Sequence, residues 1–119
     1  MSQKIETIVN LLDEKKAENI QAFDMRGDDY MVDDVIIAST LGQKHGAALL
    51  DYLKPVIKQL GEKILHTDES EEWIVIDLGD MLIHLMTPEH RSKYNIEEFL
   101  TEHKKQRALA QEESLSHLQ

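Results

Sequence analysis

The sequence predicts a single α/β domain in which a small mixed β-sheet is flanked by helices. Three observations predict this fold. Apolar residues recur at helical spacing near the N-terminus and again between Leu41 and Leu60. Short apolar runs rich in β-branched residues lie between and after these segments, as is typical of strands. The length of 119 residues fits one domain. The predicted order of elements is α-β-β-α-(β)-β-β-α.

The N-terminal third predicts one helix and two strands. The first helix has a single apolar stripe, with Ser2 as its expected cap; the stripe consists of Ile5, Ile8, Val9, Leu11 and Leu12. The run from Ile20 to Phe23 predicts a strand that ends at a turn containing Gly27. The run "DDVIIAS" (33–39) predicts a second strand, and its unbroken apolar stretch indicates burial on both faces.

The middle of the chain predicts a long helix from Leu41 to Leu60 that ends at Gly61. Pro55 lies inside it and removes a backbone donor, so we expect either a kink between Asp51 and Pro55 or two helices that meet there. Residues 63–66 are expected to form a short edge strand, and the following "TDESEE" an acidic loop.

The stretch "EEWIVIDLGDMLIHLMTPEHR" (71–91) predicts a β-hairpin with Gly79 and Asp80 at its tip. The register then gives the hairpin two different faces. One, the core face, is wholly apolar: Ile74, Ile76, Leu78, Met81, Ile83 and Leu85. The other, the mixed face, consists of Trp73, Val75, Asp77, Leu82, His84 and Met86. Its composition is typical of a binding surface, and equally of a face that another helix covers.

The C-terminal part predicts a turn or helix start and then a helix. Thr87 is placed to cap a turn that begins at Pro88. Asn95, with Glu98 three residues later, is placed to cap a helix. We expect the domain to occupy residues 1–105 and residues 106–119 to be a polar, frayed tail.

Charge and composition exclude several classes of function. A net charge of −10 and a pI of about 4.9 argue against binding to the nucleic acid backbone or to an anionic membrane. They favour solubility alone or a basic protein partner. The chain has no Cys, no apolar run long enough to span a membrane and no secretory signal, so we expect a cytoplasmic protein.

Candidates for chemistry are few, and we expect no cofactor and no metal. Asp77 and His84 are the possible acid–base pair, although the predicted register does not place them directly opposite each other. A divalent metal is the second possibility, with Asp28, Asp29, Asp33 and Asp34 as ligands, but no calcium-loop motif is present. The six histidines form no zinc motif.

The segment from Trp73 to Phe99 resembles the C-terminal signature of the ribosomal silencing factor family, also called the Iojap family. The residues that carry the resemblance are Trp73, Asp77, Gly79, Asp80, His84, Arg91, Tyr94 and Glu97. Residues 16–27 and 33–39 resemble the family's first two strands, and "GQKHGAALLDYL" with His45 resembles the start of its central helix. Leu100 stands where the family usually has Trp.

The resemblance implies a non-enzymatic translation factor with a fold similar to that of nucleotidyltransferases. Such a factor binds ribosomal protein fourteen of the large subunit, blocks joining of the small subunit and lowers translation when nutrients are scarce. The residues expected at the partner surface are Trp73, Val75, Asp77, Gly79, Asp80, Leu82, His84, Met86, Arg91 and Tyr94. In this scheme Trp73 is the anchor, the acidic loop from Asp68 to Glu72 meets basic residues, and Arg91 and Tyr94 hold the following segment against the sheet.

Two alternatives remain at this point. One is a nucleotidyltransferase-like enzyme that binds magnesium and nucleotide through Asp28, Asp29 or Asp33. The other is a homodimer that buries the mixed face against a second copy of the chain.

Overall fold

The computed structural model describes residues 3–27 and 30–102. The elements are α1 (Gln3–Glu14), β1 (Glu18–Asp24), β2 (Asp34–Ser39), α2 (Gln43–Gln59), β3 (His66–Glu69), β4 (Trp73–Asp77), β5 (Met81–Met86) and α3 (Pro88–Tyr94). The strands form one sheet in the order β1-β2-β5-β4-β3. Only the β2–β5 pair is parallel, so the sheet is mixed as predicted. Both the fold class and the predicted order of elements are confirmed.

The main core lies on one side of the sheet, beneath α1 and α2. The core face of the hairpin packs there, and all six of its residues are buried as predicted. The helices contribute Ile5, Ile8 and Leu12 from α1, and Leu49, Leu50, Leu53 and Ile57 from α2. All six residues of β2 are buried because this strand is internal in the sheet and both of its faces are covered.

A smaller apolar cluster lies on the opposite side of the sheet. It consists of Met25, Val32, Val35, Ile37, Met86 and Leu100, with Ile96 and Leu82 partly buried against it. Leu100 belongs to the helical residues 96–102, which follow α3. This segment therefore covers part of the sheet surface to which the mixed face belongs.

Helix α2 is one continuous helix from Gln43 to Gln59, so the alternative of two helices is wrong. Pro55 is tolerated because it lies on the exposed side, where the carbonyl left without a donor can reach water. The predicted stop at Gly61 is confirmed. Gly61 has a φ of +77°, its N–H bonds to the Lys58 carbonyl, and the N–H of Glu62 bonds to the Ile57 carbonyl.

One predicted boundary is wrong, and one residue has a role beyond the predicted one. The edge strand β3 covers His66–Glu69 rather than residues 63–66, so half of the expected acidic loop is strand. Pairing with β4 forms this strand despite its weak intrinsic propensity. Asn95 precedes a helix as predicted: residues 96–102 are helical, the Asn95 carbonyl accepts from the Phe99 N–H at 3.3 Å, and Asn95 Nδ2 donates to the Glu98 carboxylate. Asn95 also ends α3 in the left-handed region, with φ 44°, and α3 itself is capped by Thr87, whose Oγ1 accepts from the His90 N–H.

Three predictions fall outside the described residues: the Ser2 cap, the Asp28–Asp29 pair, and the frayed tail at 106–119. Within the described ranges, no helix is both long and apolar enough to cross a membrane.

Candidate functional site

The hairpin has the predicted register. Trp73 pairs with Met86, Val75 with His84, and Asp77 with Leu82. The Leu78 N–H bonds to the Met81 carbonyl at 2.9 Å, which closes the two-residue turn.

At the tip of the hairpin, Gly79 has a φ of +94°, and its N–H donates to the Asp77 carboxylate at 2.8 Å. The turn therefore depends on a glycine, because other residues rarely adopt this conformation.

The mixed face is covered at one side and open at the other. Met86 is fully buried and His84 is only 7% exposed, because β5 lies inside the sheet near the covering residues Ile96 and Leu100. Trp73, Val75, Asp77 and Leu82 are half-buried. The sequence allowed two interpretations of the mixed face, a binding surface or a face covered by a helix. Each describes part of it, because the helical residues 96–102 cover one side and the side toward β3 and β4 faces solvent.

Aromatic rings gather around Trp73. The centroid of its ring lies 5.8 Å from that of His84, 5.3 Å from that of His90 and 5.6 Å from that of Tyr94. His90 and Tyr94 lie on α3, and their ring centroids are 4.5 Å apart with the ring planes tilted by 42°. Tyr94 is 52% exposed. The Trp73 ring thus lies between His84 of β5 and the two rings of α3, and these neighbours restrict the rotamers that it can adopt.

His84 is held neutral by its surroundings. Burial lowers the pKa of its imidazole from 6.5 to about 4. Nδ1 accepts a hydrogen bond of 3.0 Å from the indole Nε1–H of Trp73. Because indole nitrogen is a donor only, the proton of the neutral ring must be on Nε2.

Asp77 and His84 form no acid–base pair. No hydrogen bond or ion pair joins them, and the Asp77 carboxylate accepts from the backbone of the turn instead. The geometry therefore does not support a catalytic role for Asp77 and His84 as an acid–base pair.

An acidic rim borders the open side of the mixed face. It consists of Asp68 and Glu72, both exposed, whereas Glu69 and Glu71 line a separate hollow with Gln43 and Ala47 of α2, on the core side of the sheet. Glu72 also links β4 to α3, because its carbonyl accepts from the Thr87 N–H and its carboxylate contacts His90 Nδ1 at 3.2 Å. A partner that approaches Trp73 from solvent would first meet negative charge.

Arg91 lies inside the molecule and is only 5% exposed. Its Nη1 donates to the Asn19 carbonyl at 2.7 Å and to Ser39 Oγ at 2.9 Å, and its Nε donates to Glu97. These bonds join α3 to β1, β2 and the helical residues 96–102. The predicted holding role of Arg91 thus has a defined set of contacts.

Of the acidic residues proposed as metal ligands, the structure describes Asp33 and Asp34, and these two are in different surroundings. Asp34 is buried and paired with Arg26, whose Nη1 and Nη2 donate to its two oxygens at 2.9 and 2.8 Å. Asp33 is exposed. Among residues 3–27 and 30–102, no three His, Asp or Glu side chains are grouped so that they can hold a metal ion.

His90 was missed by the sequence reasoning, although it completes the ring cluster around Trp73. A signal existed. Thr87 and Pro88 mark the start of a helix directly after β5, and the first turn of that helix must lie close to the neighbouring strand β4.

A model of the family described as "Ribosomal silencing factor during starvation" matches residues 1–118 of the chain. The chain belongs to this family. The ribosomal silencing factor family consists of ribosome-associated regulators of translation rather than catalysts, and the resemblance found in the sequence is confirmed.

Relatives and solved structures agree with this membership. The ribosomal silencing factor of Halalkalibacterium halodurans is 33% identical over 95 residues, which are 78% of this chain and 81% of that protein. A mouse protein named mitochondrial assembly of ribosomal large subunit protein 1 is 29% identical over 102 residues, which are 82% of this chain and 45% of the mouse protein. A crystal structure from Chromobacterium violaceum superposes with a TM-score of 0.77 at 25% identity, covering 85% of this chain and 88% of that one.

Proposed function

We propose that the protein binds the large ribosomal subunit through a basic ribosomal protein at the subunit interface, ribosomal protein fourteen of that subunit. Bound there, it blocks joining of the small subunit and represses translation under nutrient limitation. The observation that carries the proposal is a half-exposed tryptophan in an apolar patch with an acidic rim, on a member of the ribosomal silencing factor family.

The contact surface in this proposal is the open part of the mixed face. Trp73 is the anchor, because binding energy concentrates in aromatic residues that are held rigid and become desolvated. Val75 and Leu82 supply the apolar surroundings, and Asp77, Gly79 and Asp80 extend the contact to the tip of the hairpin. Tyr94 extends it to α3.

Two of the residues expected at the surface have another role in this proposal. Met86 and Arg91 are buried in the free protein, so they support the docking surface from beneath. His84 shares features of the contact residues and of the supporting residues. Its ring is mostly buried, and it orients Trp73 through their hydrogen bond.

Charge supports the choice of a basic protein as partner. The whole chain carries −10, and the rim beside Trp73 includes two exposed carboxylates, those of Asp68 and Glu72. Opposite charge raises the rate of encounter between proteins, whereas contact with RNA phosphates would be repulsive. The name of the mouse relative, which refers to the ribosomal large subunit, agrees with this choice of subunit.

Co-sedimentation with purified ribosomal subunits tests the proposal. The wild-type protein is expected to sediment with large subunits, and a folded Trp73→Ala variant to remain in the supernatant. Equal sedimentation of both proteins would refute the proposed surface. If the same patch is buried in a homodimer, a concentration-dependent mass in light scattering would reveal it, and large subunits would compete with the second copy.

A further inference from the structure

A small depression lies between β3 and β4, next to Trp73. It has a volume of about 220 Å³ and is lined by Asp68, Ser70, Trp73 and Val75. These residues face each other in two places on the same side of the sheet, separated by the Glu69–Ile74 pair, which faces the other side. Asp68 lies opposite Val75, and the Ser70 N–H and hydroxyl both donate to the Trp73 carbonyl at 2.9 Å. The side chains of Trp73 and Val75 on β4 are large, and those of Asp68 and Ser70 are short. The space between the two pairs of side chains therefore stays open.

The walls of the depression differ in chemistry. Trp73 and Val75 present an aromatic ring and an aliphatic side chain on one side. Asp68 presents an exposed carboxylate on the other, and within residues 3–27 and 30–102 it takes part in no ion pair or hydrogen bond. The Ser70 hydroxyl already donates to the backbone. The depression thus combines an apolar surface with an unpaired negative charge.

We propose that this depression receives a single lysine or arginine side chain of the ribosomal partner. This inference rests on the proposed function and assigns the chemistry of one subsite within it. The aliphatic part of the basic side chain packs against Val75 and the Trp73 ring, as long basic side chains commonly do on apolar surfaces. The cationic head lies near the indole face and pairs with Asp68.

Other ligands fit the depression less well. An anion would meet the carboxylate of Asp68 in the depression and that of Glu72 in the acidic rim, both exposed. A metal ion would find one carboxylate, since no cluster of three ligands occurs in the described part of the chain. A purely apolar side chain would bury the Asp68 carboxylate without a partner, which is unfavourable.

Asp68→Asn and Glu69→Gln form a matched pair of variants for the test. Each removes one exposed negative charge from β3, but adjacent residues of a strand point to opposite faces, and Glu69 pairs with Ile74 of the core face rather than with Val75. Binding of the full-length proteins to salt-washed large subunits is measured at several salt concentrations. Asp68→Asn is expected to weaken binding about tenfold and to flatten its salt dependence, whereas Glu69→Gln stays within about twofold of the wild type.

The outcomes separate the subsite from the proposed function. Equal effects of the two variants would show that only overall charge matters and would overturn the subsite. If Trp73→Ala still abolishes binding in that case, the proposed function stands. If the wild-type protein does not bind large subunits at all, both proposals fail. Asp68→Lys gives a further check, because the subsite requires it to bind more weakly than Asp68→Asn.

Discussion

The indole Nε1–H of Trp73 donates a hydrogen bond of 3.0 Å to Nδ1 of His84 across the β4–β5 hairpin. This bond links a half-exposed residue to a buried one. It fixes the orientation of the indole and the tautomer of the imidazole together. A surface tryptophan held in this way loses little conformational entropy when a partner binds it.

The Trp73–His84 bond predicts a measurable coupling. Trp73→Phe keeps an aromatic ring but removes the donor, and His84→Leu removes the acceptor. A double-mutant cycle on the free energy of unfolding, measured in urea, is expected to give a coupling of about 1 kcal/mol. A coupling near zero would mean that the bond does not stabilise the hairpin.

The pH dependence of stability provides a second prediction. The folded protein holds the pKa of His84 at about 4, below the value of 6.5 for a free imidazole. The unfolded state therefore binds more protons between these values, so the stability from neutral His84 is complete above pH 6.5 and declines as the pH falls toward 4. The loss is of order 3 kcal/mol at most.

His84→Gln is the matched variant for this measurement, because its carbonyl can accept from Trp73 but does not titrate. Urea unfolding is followed from pH 7 to pH 4 for both proteins. Carboxylates contribute equally to both, so the wild type is expected to lose more stability than the variant. Parallel curves would contradict a buried neutral histidine.

The third prediction concerns the contribution of the buried Arg91 to the stability of the fold. Arg91→Met leaves the Asn19 carbonyl, the Ser39 hydroxyl and the Glu97 carboxylate without their donor, so we expect a loss of about 3 kcal/mol. Lys93→Met, at an exposed position on the same helix, is expected to change stability by less than about 0.5 kcal/mol. Similar midpoints of thermal unfolding for the two variants would refute the structural role of Arg91.

The fourth prediction concerns Gly79 at the hairpin tip and its contribution to the free energy of unfolding. Gly79→Ala introduces a Cβ at a φ of +94°, and that Cβ would lie 3.1 Å from Leu65 Cδ1. We expect a loss of about 1 kcal/mol or more in the free energy of unfolding. Gly79→Asn is expected to cost less than other substitutions of similar size, because Asn tolerates positive φ. Equal stability of Gly79→Ala and the wild type would contradict this turn geometry.

The hairpin was predictable from sequence because its information is local. Alternation of apolar residues around Gly79 fixes both the turn and the two faces, and one shift in register would expose the whole core face. Gly61 was predictable for the same reason, since a helix end needs only the residue that adopts the left-handed conformation.

The errors arise where distant contacts decide the structure. The strand His66–Glu69 has few β-forming residues and exists through its pairing with β4. Arg91 contacts Asn19 and Ser39, which are 72 and 52 positions away, so no local pattern shows that it is buried. The partial cover over the mixed face likewise depends on where Leu100 packs.

We propose that the Trp73 surface keeps the two ribosomal subunits apart. A joining assay with purified small and large subunits tests it most directly, with wild-type protein, with folded Trp73→Ala and without either. Wild-type protein is expected to reduce the fraction of joined ribosomes, and Trp73→Ala to leave it at the level without added protein. Joining that is unchanged by wild-type protein, or equally reduced by both proteins, would contradict the claim.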